Sequence, residues 1–308
     1  MGRYRVADQR DISPALHAAI EDGIEPLRQL TRRFFLGVMS RLPVPIAVRL
    51  HYAIHHNRIP NIKKPTRFTE KIVRRKLFDR NQRLADRADK IAVKSFVLNK
   101  LGDGYVTPII WSGSSLPARD QRNWPIPFVL KSNNGSGANY FVRSKDDLNW
   151  NLIEKACNAW LSTSHASWAG EWLYAKIEPK LLVEPYIGEL VALPLDYKLF
   201  VFGGRVEYIE VDTDRESDHK RTFFDREWNR QDFSLGYRLD HRDLVRPNCL
   251  NEMINAAEKL SEDIPFVRID FYEINGRPVF GEMTFYPDAG IARFVPDYYD
   301  SHFGKLWK

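Results

Sequence analysis

The stretch Val267-Arg-Ile-Asp-Phe-Tyr-Glu-Ile-Asn-Gly-Arg-Pro-Val-Phe-Gly-Glu-Met-Thr284 decides the fold. A polar series, Arg268, Asp270, Glu282 and Thr284, interleaves with an almost wholly apolar one, Val267, Ile269, Phe271, Gly281, Met283 and Phe285. Successive side chains on a strand point to opposite faces, so the apolar set can cover a core while the polar set lines a site. Asn275-Gly276 marks the turn of a hairpin. Two carboxylates beside an Arg on one sheet face repel each other, and a divalent cation carrying phosphate oxygens compensates them.

Register decides whether that face exists. A strict two-residue loop pairs Asp270 with Gly281 and turns Glu282 to the other side. A three-residue loop, Ile274-Asn275-Gly276 with Gly276 left-handed as a bulge, pairs Asp270 with Phe280 and brings Glu282 onto its face. The bulged loop is the expectation. The competing reading is the solvent-facing polar side of an edge hairpin.

At 308 residues and 44% hydrophobic content the chain suits a soluble globular protein of two or three lobes. Eight Trp, thirteen Tyr and eighteen Phe exclude a disordered chain. Cys157 and Cys249 have no zinc-type or disulfide spacing, which fits a reducing compartment. His51, His55 and His56 cluster without a carboxylate or Cys partner and read as a solvated basic helix.

The net charge of +6 hides an asymmetry: residues 1–100 hold 22 Lys/Arg against 9 Asp/Glu, and the rest 24 against 31. The basic half, with Arg32-Arg33-Phe34-Phe35-Leu36, Arg41, Arg49, Arg58, Lys63 and Lys64, interleaves cations with apolar residues. Such a segment suits a membrane surface or a polyanion, or a solvated helix face packed on the body. No apolar run reaches the roughly 20 residues of a membrane span, and charges interrupt the start where a signal peptide would lie. The expectation is a cytoplasmic protein, peripheral at the inner face of the membrane. No nucleic-acid recognition motif accompanies the pI of 9.2, and no nucleic-acid partner is expected.

Along the chain, a helical pattern over 27–54 is broken at Pro43 and Pro45, and further helices are predicted at 69–78, 84–100, 148–161 and 252–262. Strands are predicted at 105–111, 128–131, 140–143, 181–186, 197–202 and 205–211, the last two joined by Gly203-Gly204. Mixed helices and antiparallel hairpins make the fold class α+β. The organisation expected is a basic extension over 1–64, a helical lobe with Lys90 over 65–127, and catalytic lobes over 128–308.

Phe128-Val-Leu-Lys131 is a short apolar strand ending in a cation, followed by Ser132-Asn-Asn-Gly-Ser-Gly-Ala-Asn139. Glycines there let the backbone approach a ligand, and successive N–H groups can bind phosphate; simple hairpin loops share this composition. Lys90 is placed on a helix preceding that strand. Leu181-Leu-Val-Glu184-Pro185 is an apolar strand leaving through an acid, able to present a carboxylate and backbone groups to a purine. Asp212-Thr-Asp214 raises a glycosyltransferase as the competing enzyme class, and a site of this kind also allows a glycan kinase.

The order of these parts resembles the ATP-grasp superfamily. Phe68-Thr-Glu-Lys71, Ala88-Asp-Lys90, Phe128-Val-Leu-Lys-Ser-Asn-Asn-Gly-Ser-Gly137, Asp196-Tyr-Lys198, Pro265-Phe-Val-Arg-Ile-Asp270 and Gly281-Glu-Met-Thr284 are similar to its TupA-like group, named for teichuronopeptide synthesis, from about Pro65 onward. The resemblance implies an ATP-grasp fold with ATP held between two α+β lobes. It implies that Lys90 and Lys131 contact phosphates and that the loop with Ser132, Gly135, Ser136 and Gly137 closes over them. Glu184, with Pro185, Tyr186 and Ile187, would hold adenine, and Asp196 the ribose. Asp270 and Glu282 would ligate Mg2+, with Thr284 standing where many relatives carry Asn. Arg268 would stabilise an acyl-phosphate, Lys198 would add a phosphate or substrate contact, and a polar loop with Arg215, Lys220 and Arg221 would receive an acidic substrate. The implied activity joins a carboxylate-bearing sugar or peptide to an amine, with ATP converted to ADP and phosphate, in polysaccharide or cell-envelope synthesis.

Overall fold

The computed structural model describes residues 35, 37–162, 169–190 and 193–308. The expectations for 1–34, including the start of the basic amphipathic segment, lie outside the described residues. Pro45 falls in the first turn of helix α1 (Val44–His56), where its missing N–H has no helical partner to lose. Helix α2 (Phe68–Phe78) is closed at its start by Glu70, whose carboxylate accepts from the amides of Asn61 at 2.9 Å and Thr66 at 3.1 Å. The helix predicted over 84–100 is two, α3 (Gln82–Ala88) and α4 (Ala92–Leu101). Asp89 breaks it: its Oδ1 accepts from the Ile91 amide at 2.8 Å, a local bond that competes with the helical ladder. Lys90 therefore sits in a turn, not on a helix.

The strand predicted over 105–111 shrinks to β1 (Trp111–Gly113), because Asp103–Tyr105 form a 3-10 turn and Pro108 cannot donate to a ladder. The chain continues through β2 (Phe128–Ser132), β3 (Asn139–Val142), α5 (Trp150–Ser162), α6 (Trp172–Lys176), β4 (Leu181–Pro185), β5 (Asp196–Phe202), β6 (Arg205–Thr213), β7 (Lys220–Asp225) and β8 (Ser234–Leu235). It ends with α7 (Leu250–Leu260), β9 (Phe266–Ile274), β10 (Arg277–Thr284), β11 (Phe294–Val295) and α8 (Tyr298–Leu306). Lys220 and Arg221, assigned to a polar loop by sequence, open strand β7; the Thr222-Phe-Phe224 run behind them pulls the segment into the sheet.

Two main sheets form, in strand orders β1-β4-β2-β3 and β10-β9-β5-β6-β7, beside a small β11-β8 pair. Every pairing between these strands is antiparallel. The architecture is α+β.

The deciding hairpin differs from its expectation in one respect. Ile274 pairs with Arg277, so the loop is the strict two-residue Asn275-Gly276, with φ of 53° and 72°. Asp270 does not pair with Phe280, which lies opposite Phe271. The bulge sits further along at Gly281, and it brings Glu282 opposite Asp270. The two carboxylates share a face, by a different route.

The larger core lies under the five-stranded sheet, where Phe68, Phe200, Phe223, Phe266 and Phe303 are fully buried and their rings meet at 4.9–6.3 Å. A second core of Phe128, Leu130, Val142, Ile153, Cys157, Leu181 and Val183 packs α5 on the four-stranded sheet. α1 joins α2 through Val48, Tyr52, Ile62, Val73 and Leu77. Two of the three clustered histidines are consequently not solvated: His55 is exposed, but His51 and His56 are buried, His56 Nε2 lies 3.1 Å from the Gly290 carbonyl, and its ring stacks on Tyr52 at 4.1 Å. Among the described residues no helix is long and apolar enough to cross a membrane.

Candidate functional site

A cleft of about 640 Å³ runs between the two sheets. Its floor is the polar face of the five-stranded sheet. Pairing places Glu282, Asp270, Lys198 and Glu210 in one row across β10, β9, β5 and β6. Its roof carries Lys131 and Glu184 from β2 and β4, and the loop after β2. The sixteen residues assigned from the sequence to ATP, Mg2+ or catalysis all line this one cleft, as do Arg215 and Arg221 of the expected substrate loop, whereas Lys220 does not.

At the hairpin, Arg268 grips Asp270 with two bonds, Nε to Oδ1 at 2.8 Å and Nη2 to Oδ2 at 2.7 Å. Thr284 Oγ1 accepts from Arg268 Nη2 at 3.2 Å and donates to Glu282 Oε1 at 3.1 Å. Thr284 thus holds Glu282 and Arg268 in register, which leaves its oxygen one free lone pair. Lys90 Nζ lies 3.3 Å from Glu282 Oε2 and donates to the Gly135 carbonyl at 2.7 Å, so the turn after α3 ties the glycine loop to the hairpin.

Burial pushes the Asp270 carboxyl up to about 7, and Arg268 opposes this without cancelling it. Burial also acts on Glu282, yet Lys90 and Arg268 outweigh it and hold that carboxyl down to about 2. Among the described residues no group of three or more His, Cys, Asp or Glu is arranged to hold a metal. An all-oxygen pair of carboxylates fits Mg2+, which takes one or two carboxylates and fills its octahedron with water and phosphate oxygens.

The loop from Ser132 to Asn139 is built rather than loose. Asn133, fully buried, donates from Nδ2 to the Glu178 carbonyl at 3.0 Å and accepts from the Lys180 amide at 2.8 Å. Its own carbonyl accepts from the Lys90 amide at 2.9 Å. Ser132 Oγ donates to Asn134 Oδ1 at 2.7 Å. These anchors leave Gly135, Ser136 and Gly137 at the tip, held by Lys90 on the Gly135 carbonyl, with left-handed φ of 73° and 76° at the two glycines.

Glu184 is buried between two ammonium groups, Lys94 Nζ at 2.5 Å and Lys131 Nζ at 2.7 Å. Burial raises its carboxyl, but Lys131 and Lys94 win and keep it below its usual value. Lys94 was missed from sequence; the signal was a second lysine four residues after Lys90 in the same Asp-Lys-Ile-Ala-Val-Lys run, and in the fold it lies in the first turn of α4. Beyond Pro185, the Tyr186 amide is taken by the Pro127 carbonyl at 3.1 Å, so Ile187 carries the first amide available to a ligand.

Lys198 is clamped by Asp196 at 2.5 Å and Asp212 at 2.6 Å, and these carboxylates overcome burial to raise its pKa. Asp196 Oδ1 is buried without a hydrogen-bond partner, an acceptor open to a ligand hydroxyl. The cations expected to receive an acid are already neutralised. Arg215 pairs with Asp196 at 3.2 Å, and Arg221 with Glu210, Asp212 and Asp288 at 2.9–3.0 Å.

No curated protein matches the chain. Among solved structures, D-alanine–D-alanine ligase from Bacillus anthracis is similar at 17% identity over 71% of this chain and 64% of its own, with a TM-score of 0.42. The L-amino acid ligase from Bacillus licheniformis is similar at 14% identity over 83% of this chain and 50% of its own, also with a TM-score of 0.42. The chain therefore spans less than two thirds of the length of these structures. The family model for TupA-like ATP-grasp proteins matches residues 70–308, most of the chain, and covers the turn at Lys90, the glycine loop and the carboxylate hairpin. The chain belongs to the TupA-like ATP-grasp family.

Proposed function

We propose that this protein is an ATP-dependent carboxylate–amine ligase that works through an acyl-phosphate, with Mg2+ at Asp270 and Glu282. The observation that carries the reading is the single cleft in which Lys90, Lys131 and the anchored glycine loop meet the hairpin carboxylates. A carboxylate resists attack by an amine because its leaving group would be oxide. Its oxygen instead attacks the γ-phosphorus of ATP, the bond to the β-phosphate oxygen breaks, and ADP leaves. The amine nitrogen then attacks the acyl carbon, phosphate departs and the nitrogen loses its proton.

Asp270 and Glu282 would hold Mg2+, which when bound would supply positive charge against the charge developing on the phosphates. The chain's own groups do the rest. Lys131 and Lys90 neutralise phosphates, and the amides around Gly135–Gly137 cap them. Asp196 Oδ1 takes a ribose hydroxyl, and Glu184 with the Ile187 amide faces the base. Arg268, already raised in pKa by Asp270, stays charged beside the transferring group. No side-chain nucleophile is required, and burial pushes both Cys157 and Cys249 thiols up to about 12, away from thiolate chemistry.

The family's teichuronopeptide association supports a carboxylate-bearing sugar or peptide as acid, in cell-surface polymer assembly at the inner face of the membrane. The division into an extension over 1–64, a helical lobe over 65–127 and catalytic lobes over 128–308 belongs to the same reading. Asp270→Asn tests it: ADP release should fall at least about a thousandfold while the thermal melt stays near wild type. ADP release at the wild-type rate removes the metal site and the reading with it.

A further inference from the structure

A second cavity, also about 640 Å³, shares no lining residue with the cleft. It is bounded by α2, the segment ahead of it, the Asp263–Pro265 turn and Trp307. Five cations line it, Lys308 and the four gathered around α2: Lys63, Lys71, Arg74 and Arg75. The partners of the last three are neutral. Lys71 Nζ donates to the Trp307 carbonyl, Arg74 Nη1 to the Ile62 carbonyl at 2.9 Å, and Arg75 Nη1 to the Phe266 carbonyl at 2.7 Å. Arg75 also lies 4.2 Å from the centre of the Trp307 ring, and Arg74 5.7 Å from that of Phe78.

Carbonyls and ring faces solvate a cation without neutralising it. Two carboxylates, Asp79 and Asp263, lie on the wall. Among the described residues the sole carboxylate within 4.0 Å of these four cations is Asp79, at 3.9 Å from Arg75. Burial lowers the Lys71 pKa and draws Arg75 down to about 10, as expected of cations short of counter-charge. An ammonium has three donors and a guanidinium five, so Lys71 and Arg74 keep donors for a further acceptor. Phe78, 59% exposed, leaves an open aromatic face at the mouth, and Leu84 and Ile264 supply apolar wall.

We propose that this cavity binds a phosphate group carried on an apolar or flat body. Lys63, Lys71 and Arg74 take the oxygens, and the exposed Phe78 ring packs against the body. The same chemistry occurs in a free phosphate ester and in a phospholipid headgroup, and two arms of one experiment separate them.

In the first arm, phenyl phosphate and inorganic phosphate are titrated calorimetrically into the full chain, the Lys71→Met/Arg74→Met variant and Lys131→Met, which alters the cleft instead. Phenyl phosphate should bind more tightly than inorganic phosphate, lose about tenfold or more in affinity in the double variant, and be unchanged by Lys131→Met. In the second arm the same proteins are sedimented with phosphatidylglycerol or phosphatidylcholine vesicles. Sedimentation with phosphatidylglycerol that the double variant abolishes assigns the phosphate to a headgroup. No sedimentation alongside phenyl phosphate binding assigns it to a free ester. If the double variant melts early, Lys63→Glu/Arg74→Glu, both on exposed side chains, replaces it. The proposal is overturned if the double variant weakens neither phenyl phosphate binding nor sedimentation with phosphatidylglycerol, or if phenyl phosphate binding follows Lys131 alone.

Discussion

Glu184 shows what a single residue gains from its surroundings. In sequence it is an acid at the end of an apolar strand, equally suited to a ligand contact and to solvent. In the fold it is the one negative charge between Lys94 and Lys131, itself buried and flanked by two half-buried ammonium groups. Removing one member of a buried ion cluster leaves the others uncompensated, which costs more than the pair's net worth. Glu184→Gln should therefore lower stability by about 3 kcal/mol in urea unfolding. It should also weaken nucleotide binding, read as a rise in the KM for ATP with a smaller change in kcat. Unchanged stability would mean that water already screens the two ammonium groups.

At the scale of elements, two close approaches matter. Gly281 is the extra residue that swings Glu282 opposite Asp270, and a Cβ there would lie 3.1 Å from the Asp270 carbonyl oxygen. Alternation in the sequence could reveal the strands and the turn, but it could not say where an inserted residue sits, because one residue on either side of Phe280 satisfies the same pattern. The C-terminal helix α8 was not predicted at all: its Tyr-Tyr-Asp-Ser-His-Phe run has weak helical periodicity and is held by tertiary bonds. Asp300 accepts from the Thr69 amide at 2.9 Å and from Thr69 Oγ1 at 2.7 Å, which anchors α8 to the start of α2. Gly304 makes the packing possible, since a Cβ there would lie 2.1 Å from the Thr66 carbonyl oxygen. Gly304→Ala must push the helices apart and should cost about 2–3 kcal/mol, read as a lower urea midpoint at unchanged m-value. A neutral result would show that α8 can slide on α2 without loss.

At the scale of the whole molecule, the buried histidines of α1 couple its docking to pH. Burial is the main cause that holds both His51 and His56 down to about 4, below the usual 6.5. Between those values the unfolded chain binds protons that the folded chain refuses. Stability contributed by the neutral imidazoles is therefore complete above about 6.5, falls as pH drops, and levels off below about 4. His56→Gln should flatten the loss seen between pH 7 and pH 5 by on the order of 1–2 kcal/mol in urea unfolding. An identical pH slope in the variant would mean that His56 titrates freely. A solvated helix, as first read from the cluster, would give that identical slope. The error is instructive, because three histidines at one and four residues' spacing carry no sign of what packs over them.

Order along the chain was enough to read the family and the α+β class: a cation before a glycine loop, an acid at a strand end, then Arg-x-Asp and Glu-x-Thr on a hairpin. These are local signals, set by strand alternation and turn chemistry, and they survive without knowledge of the fold. Tertiary structure alone decided the charge partners. Lys94 became a site residue because the fold sets it against Glu184 of β4, and Arg221 ceased to be a free cation because β7 sets it against Glu210 and Asp212. The same holds for the bulge at Gly281, the turn that carries Lys90 and the cations gathered behind α2. Ion pairing, burial and close packing depend on which distant segments meet, and residues far apart along a chain carry no periodicity that records it.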